Sequence, residues 1–134
     1  MTDTVTIAAR LYDAMAARDA SALLEAMTVD FVGRASAGMP LGVGGRHDGR
    51  DAMLRDVWMP VFSAYDMNVD VESFLPSGED TVVALGFYRG IERGTGRRME
   101  ARFVHILDVD GDRVAGLEQV TDTRCWDATL RRAA

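Results

Sequence analysis

Residues 97–122 read RRMEARFVHILDVDGDRVAGLEQVTD, and this stretch decides the fold. Two long runs rich in apolar and β-branched residues flank the dipeptide Asp110-Gly111, which is a strong signal for a tight hairpin turn. The pattern therefore predicts two antiparallel strands, about Arg97 to Asp108 and Arg113 to Thr121. A long hairpin with a few polar groups on one face can form the wall of a small-molecule pocket.

The elements before this hairpin predict helices first and an antiparallel meander afterwards. Upstream of Tyr65 the apolar residues recur with helical spacing, and from Met67 onwards they alternate with polar residues. Pro60 falls inside the third helix, so we expect a kink or a break near Met59. The expected helices lie over Thr4–Arg18, over Ser21–Met27 and after Asp48, and a last short helix is capped by Asp122 or Thr123. The expected strands are a short one beginning at Phe31, two around Met67–Val71 and Thr81–Ile91, and the two of the hairpin.

This order predicts an α+β fold in which a cone-shaped, curved antiparallel sheet packs on three helices. The 134 residues form a single domain over 1–134 in this interpretation, because the length suits one core and no linker interrupts the chain. The open end of such a cone is a pocket. One β-bulge would exchange the residues that face inward with those that face outward, so the face of each strand stays open at this stage.

Composition excludes several classes of function. A net charge of −6 argues against nucleic acid or an anionic membrane as the main partner. The chain has no lysine, which excludes Schiff-base chemistry and covalent attachment of pyridoxal phosphate. One cysteine and an N-terminus unlike a signal peptide favour a cytoplasmic location. The two histidines lie far apart in the sequence, so we expect no metal site. We also expect no cofactor.

Three groups of residues carry a family resemblance. They are Leu11-Tyr12-Asp13-Ala14 followed by Arg18-Asp19, the segment GRHDGRDAM at 45–53, and the closing hairpin with Gly94-Thr95-Gly96, Phe103-x-His105 and Asp122-Thr123. In this order and spacing they resemble the SnoaL-like polyketide cyclases and ketosteroid isomerases of the nuclear-transport-factor-2-like (NTF2-like) superfamily. The resemblance covers nearly the whole chain.

The resemblance implies the NTF2-like, or cystatin-like, α+β barrel and a homodimer. It also implies cofactor-independent acid–base chemistry of the cyclase, isomerase or epoxide-hydrolase type on a hydrophobic biosynthetic intermediate. Two positions depart from the family pattern. The steroid isomerases carry a base where this chain has residues 34–36, and the cyclases carry an aspartate where this chain has Gln119, which is a poor proton acceptor at pH 7. The alternative is therefore a non-catalytic small-molecule binding protein or accessory subunit.

Three residues are candidates for catalysis. His105 lies mid-strand and has an ordinary pKa suited to proton transfer near neutrality, although it could equally be a core histidine bonded to a neighbour. Gln119 would point towards His105 across the hairpin and orient a substrate oxygen. Tyr12 lies near the place of the family's carbonyl-polarising tyrosine.

Six further residues are candidates for substrate binding. The aromatic side chains of Trp58, Phe62, Phe87 and Phe103 are expected to form apolar walls. His47 beside the glycine-rich loop is either a lid residue at the pocket mouth or an exposed histidine. Asp122 is either a pocket residue or, by the better fit to its position, a helix cap.

Overall fold

The fold was obtained as a computed structural model that describes residues 3–130. It contains a six-stranded sheet and helices that come before, between and after the strands. The helices are α1 (Thr4–Ala17), α2 (Ala20–Glu25), α3 (Arg50–Met53), α4 (Met59–Ala64) and α5 (Thr123–Leu130), with a π-helical segment (Leu54–Trp58) joining α3 to α4. The strands are β1 (Met27–Ala35), β2 (Gly45–Asp48), β3 (Tyr65–Ser77), β4 (Thr81–Glu92), β5 (Arg98–Asp110) and β6 (Arg113–Thr121).

The sheet has the strand order β2-β1-β6-β5-β4-β3, and the expected α+β class is confirmed. Strands β3 to β6 form the antiparallel meander read from the sequence. One pairing differs from the expectation, because β1 lies parallel to β6 and makes the sheet mixed. The alternation of apolar and polar residues along a strand indicates which side chains share a face, but not which strand lies beside it. This pairing could therefore not be predicted from the pattern.

The sheet bends at the middle of β3 and β4. The register between them shifts between Val71 and Ser73, opposite Gly86, which is the signature of a β-bulge. A Cβ at Gly86 would overlap the Asp70 carbonyl oxygen and lie 2.8 Å from Phe103 Cζ, so only glycine permits this close approach. The bend makes the sheet concave towards the helices.

Helix α1 lies across the concave face, where it contacts β3 to β6. Asp3 caps it by accepting a hydrogen bond from the Thr6 N–H at 2.7 Å. The helix buries Leu11, Tyr12 and Met15 against the sheet. It ends at Arg18, whose backbone is left-handed with φ of 54°, a conformation in which helix C-termini usually carry glycine.

The third helix is interrupted where Pro60 was expected to break it. The chain stays helical, but Leu54–Trp58 form a π-helical turn in which the Met59 N–H donates to the Leu54 carbonyl. Proline cannot donate to the carbonyl four residues earlier and its ring crowds that carbonyl, so a wider turn accommodates it. The turn brings Trp58 against the core, where Phe31 packs at 6.3 Å between ring centroids. No helix within residues 3–130 is long and apolar enough to cross a membrane.

Candidate functional site

A cavity of about 40 Å³ lies between the concave face of the sheet and the helices. Its wall is mostly apolar and includes four methionines, whose flexible thioether chains can repack around a ligand. Tyr88, His105 and Gln119 bring polar atoms to it from the inner sheet face, and Arg34 on β1 also lines it. Within the part of the chain that the structure describes, no aspartate or glutamate lines this cavity. The methionines are Met15, Met39, Met53 and Met67.

His105 lies at the centre of the site and is 3 % exposed. It faces Gln119 directly across the β5–β6 pairing, as the hairpin pattern indicated. Its ring stacks on Phe103 with centroids 4.0 Å apart. Each ring nitrogen meets a tyrosine: Nδ1 lies 2.7 Å from the Tyr12 hydroxyl and Nε2 lies 2.5 Å from the Tyr88 hydroxyl.

Burial changes the acid–base character of His105. Loss of water around the ring disfavours the charged form and lowers its pKa to about 3. The expectation of a group that exchanges protons near neutrality is therefore wrong for the closed site. At pH 7 the imidazole is neutral, with one nitrogen protonated and the other an acceptor.

Gln119 has its amide orientation fixed by Ser36, the residue that follows β1. The Ser36 N–H, which can only donate, lies 3.2 Å from Gln119 Oε1, so the amide oxygen is the acceptor there. The other end, Nε2, donates to the Tyr88 hydroxyl at 2.8 Å. The Ser36 hydroxyl also donates to the Gln119 carbonyl at 3.0 Å, which holds the end of β1 against β6. Gln119 thus serves as a donor to Tyr88.

The tautomer of His105 follows from the partners of Tyr12. Among residues 3–130 the Tyr12 hydroxyl has His105 Nδ1 as its one hydrogen-bond partner, and its side chain is buried. If Nδ1 carried the proton, the Tyr12 O–H would be buried without an acceptor, which is costly. Tyr12 therefore donates to Nδ1, and the proton of the neutral imidazole is on Nε2.

The hydroxyl of Tyr88 then accepts two hydrogen bonds, one from Gln119 Nε2 and one from His105 Nε2. Its own proton is left without a protein partner among the described residues, on the side chain that lines the cavity. Burial raises the pKa of Tyr88 above its ordinary value of 10, so the hydroxyl keeps this proton at neutral pH. The arrangement presents one neutral O–H donor to the cavity.

Two of the four aromatic residues expected to form apolar walls line the cavity. Trp58 and Phe62 line the cavity, while Phe103 lies behind His105 and supports its ring. The expectation for Phe87 is wrong. It points to the outer face of β4, where the guanidinium carbons of Arg89 and Arg102 lie 4.4 and 4.8 Å from its ring centroid.

Two other candidates lie outside the cavity. His47 lies on β2 and donates from Nε2 to the Val43 carbonyl at 2.6 Å, so the interpretation as a lid residue is wrong. Asp122 is exposed and caps α5 through its Oδ1, which accepts from the Arg124 N–H at 3.2 Å. The cap alternative for Asp122 is confirmed, and its place among the pocket residues is wrong.

Sequence reasoning missed Tyr88, which links Gln119 to His105. A signal was present, since Tyr88 lies between Gly86 and Gly90 in the period-two pattern of β4 and is the one large side chain of the three. The larger apolar residues Val83, Leu85 and Phe87 occupy the other face of the strand. Within residues 3–130, no group of three or more histidine, cysteine, aspartate or glutamate side chains is placed to hold a metal ion.

The architecture matches several solved structures. An NTF2-like protein from Burkholderia thailandensis is 26 % identical, with a TM-score of 0.88 over 98 % of this chain and 100 % of that one. TerC co-crystallised with polyporic acid is 21 % identical, with a TM-score of 0.84 over 96 % of this chain and 98 % of that one. A loop-truncation variant of IdmH is 23 % identical, with a TM-score of 0.80 over 96 % of this chain and 100 % of that one.

Comparison with curated proteins gives no match. The family model of the SnoaL-like domain matches residues 8–117, which include most of α1, the helical segments from α2 to α4 and most of the sheet. With the NTF2-like fold of the solved structures, this match shows that the chain belongs to the SnoaL-like family of the NTF2-like superfamily.

Proposed function

We propose that this protein binds a hydrophobic small molecule in the cavity and catalyses a cofactor-independent cyclisation or isomerisation by hydrogen bonding to a substrate carbonyl. The unshared proton of the Tyr88 hydroxyl carries the proposal. Gln119 and His105 both donate to that oxygen, which fixes its position and directs its own O–H to the cavity. Structures such as TerC with polyporic acid give a precedent for organic acids bound on this fold.

The chemical advantage is electrostatic. Enolisation and ring closure at a carbonyl place negative charge on its oxygen in the transition state, and a fixed donor in a dry site stabilises that charge. Tyr88 is the donor in this proposal, His105 and Gln119 hold it, and Tyr12 holds the histidine. The apolar wall, including Trp58 and Phe62, keeps bulk water away from the carbonyl. Because no carboxylate among the described residues lines the cavity, the proton removed from carbon passes to a single water molecule that enters with the substrate.

The second candidate is a binding protein without catalysis. It is favoured by the wall itself, because no carboxylate lines the cavity within residues 3–130 and the one histidine there is too weak a base at pH 7. Both candidates require Tyr88 to donate to the ligand, but only the first requires rate acceleration. An assay of turnover and binding on the same compound separates them.

The test uses 2-tetralone, a small apolar ketone whose α-protons exchange with deuterated water. We expect the protein to accelerate this exchange, measured by NMR, and Tyr88→Phe to reduce the acceleration about a hundredfold with binding changed far less. Tyr65→Phe is the matched control, since Tyr65 is also buried but bonds Thr129 outside the cavity. If the unmodified protein binds 2-tetralone but does not accelerate the exchange, the result contradicts catalysis and supports the binding-protein alternative.

We also propose a homodimer formed through the outer face of the sheet. Six apolar side chains from β3 to β6 lie side by side there, and none of the helices within residues 3–130 covers them, since the helices pack on the concave face. Leu75 and Val120 are 49 % and 53 % exposed. A contiguous apolar surface of this kind is typical of protein interfaces. The outer patch comprises Leu75, Val83, Leu85, Val104, Ile106 and Val120.

A further inference from the structure

A second depression adjoins the cavity on its helical side. It is an open groove of about 210 Å³ between the α1–α2 corner and the π-helical segment. Met15, Trp58 and Phe62 line both the groove and the cavity, so a single layer of side chains separates the two. These side chains belong to the helical layer, not to the hydrogen-bonded sheet. A ligand longer than the cavity would extend into the groove between them.

The groove is apolar apart from Ser63 and one charge. Leu23, Leu54 and Met59 contribute to it, and Met59 is 55 % exposed, so the groove carries apolar surface that water reaches. Arg18 is its one charged lining residue among those described, and no aspartate or glutamate lines it. An apolar trough ending at a cation suits a ligand with an apolar body and an anionic end.

Arg18 is held in place by neutral groups. Nη1 donates to the Met15 carbonyl at 2.7 Å, Nη2 donates to the Met67 carbonyl, and the guanidinium carbon lies 4.3 Å from the Phe62 ring centroid. Within residues 3–130 it makes no ion pair with any carboxylate. Two backbone carbonyls use two of its five N–H groups, so donors remain for an anion. The side chain is ordered before a ligand arrives.

The backbone at this position adds an independent observation. Arg18 ends α1 in the left-handed region, at φ of 54°, where glycine costs least. An arginine at such a position accepts backbone strain and gains a side chain that reaches the groove. An arginine at the end of any helix could donate to backbone carbonyls. Here the guanidinium is also unpaired and lies over an apolar trough, and this combination points to ligand recognition.

We propose that the groove is the outer half of the binding site and that Arg18 binds the carboxylate of an amphipathic ligand whose apolar body enters the cavity. This assignment rests on the proposed function for the cavity and adds the substrate class: an apolar carboxylic acid with an acceptor oxygen at its far end. The guanidinium binds the carboxylate through charge-assisted hydrogen bonds. The carboxylate stays at the solvent edge while the opposite end reaches Tyr88.

The test compares 4′-acetylbiphenyl-4-carboxylate with its carboxamide, which share an acceptor oxygen at the far end and differ in charge but hardly in shape. Their Kd values are measured by calorimetry for the unmodified protein and for Arg18→Gly, which removes the guanidinium and suits the left-handed backbone. We expect the carboxylate to bind about tenfold more weakly to the variant and the carboxamide to change less than twofold. Leu41→Gly is the matched control, because among residues 3–130 Leu41 is the other non-glycine residue with a left-handed backbone, and it lies outside the groove.

Two results would overturn the assignment. Equal weakening of both compounds would mean that Arg18 only shapes the groove by holding Phe62, and unchanged binding of the carboxylate would mean that it binds elsewhere. The outcome is separable from that of the ketone assay. Tyr88→Phe should leave the preference for carboxylate over carboxamide intact, whether or not the protein accelerates exchange in 2-tetralone.

Discussion

At the residue scale, burial decides what His105 can do. In water its pKa of 6.5 would allow proton transfer at neutral pH, but within the closed site the pKa falls to about 3. The ring then serves as a fixed dipole that accepts from Tyr12 and donates to Tyr88. The sequence predicts that His105 transfers protons, whereas in the structure His105 positions the hydroxyl of Tyr88.

The lowered pKa of His105 predicts a loss of stability in mild acid. Because the folded value of about 3 lies below the unfolded value of 6.5, the unfolded chain takes up a proton first as the pH falls. The stability is fully present above pH 6.5 and is lost progressively as the pH falls from 6.5 towards 3. Between pH 7 and pH 5 we expect the free energy of unfolding, measured in urea, to fall by about 2 kcal/mol from this group.

The control for this loss is His105→Gln, which keeps hydrogen-bonding capacity but does not titrate. Asp3 and Asp56 also have lowered pKa values, but they protonate below 3.8 and remain in the variant, so they do not contribute to the difference. Nitrogen-15 NMR of the unmodified protein provides a second measurement. His105 should keep one proton, on Nε2, down to pH 5; a doubly protonated ring at that pH would contradict the prediction.

The residue-scale errors concern burial and strand faces, which local patterns do not fix. The hairpin register placed Gln119 opposite His105, and the family resemblance pointed to Tyr12. Phe87 was expected to form a wall of the pocket, but on β4 it is Tyr88 that lines the cavity. In this sheet the outer face of β4 is the more hydrophobic one, which suggests that it too is covered in the working protein.

At the element scale, the glycines set the shape of the cavity wall. Gly86 lies opposite the β3 bulge, where a Cβ would overlap the fixed Asp70 carbonyl. Gly33 on β1 lies against the end of the flexible Met53 side chain, which lines the cavity. The same substitution should therefore have different effects at these two positions.

Gly86→Ala should destabilise the fold by about 3 kcal/mol, because backbone must move, whereas Gly33→Ala should cost about 1 kcal/mol as Met53 shifts. Met53 would shift into the cavity, so Gly33→Ala should also weaken binding of 2-tetralone. Urea unfolding and ketone titration measure the two effects. Equal losses of stability in both variants would show that the bend at Gly86 is not the rigid feature described.

The helix around Pro60 marks the limit of element prediction. The proline placed the interruption correctly, because its missing N–H is a local property. Its form, a π-helical turn that keeps the helix continuous, depends on how Trp58 packs against Phe31 and the cavity. The parallel pairing of β1 with β6 shows the same limit. Each strand could be predicted from its own residues, but the fact that the two lie side by side could not.

At the scale of the whole molecule, the sheet has two apolar faces and the helices cover one. The concave face encloses the cavity, and the convex face carries the outer patch around Val104 and Val120, which are direct partners across β5 and β6. Ion pairs of Arg89 with Asp70 and Glu100 lie beside the patch and form a polar border. A polar rim around an apolar centre is the usual anatomy of an interface.

The homodimer proposal predicts that one charge in the outer patch separates the subunits. Val120→Glu should convert a particle of twice the 14.6 kDa chain mass into a monomer, as measured by size-exclusion chromatography with light scattering. Burying an unpaired carboxylate in an apolar interface is strongly unfavourable, whereas the same side chain in a monomer stays in water. Val29→Glu is the control, because Val29 is 66 % exposed but lies on β1 outside the patch. If the unmodified protein is already a monomer at micromolar concentration, the outer patch does not pair two copies of this chain.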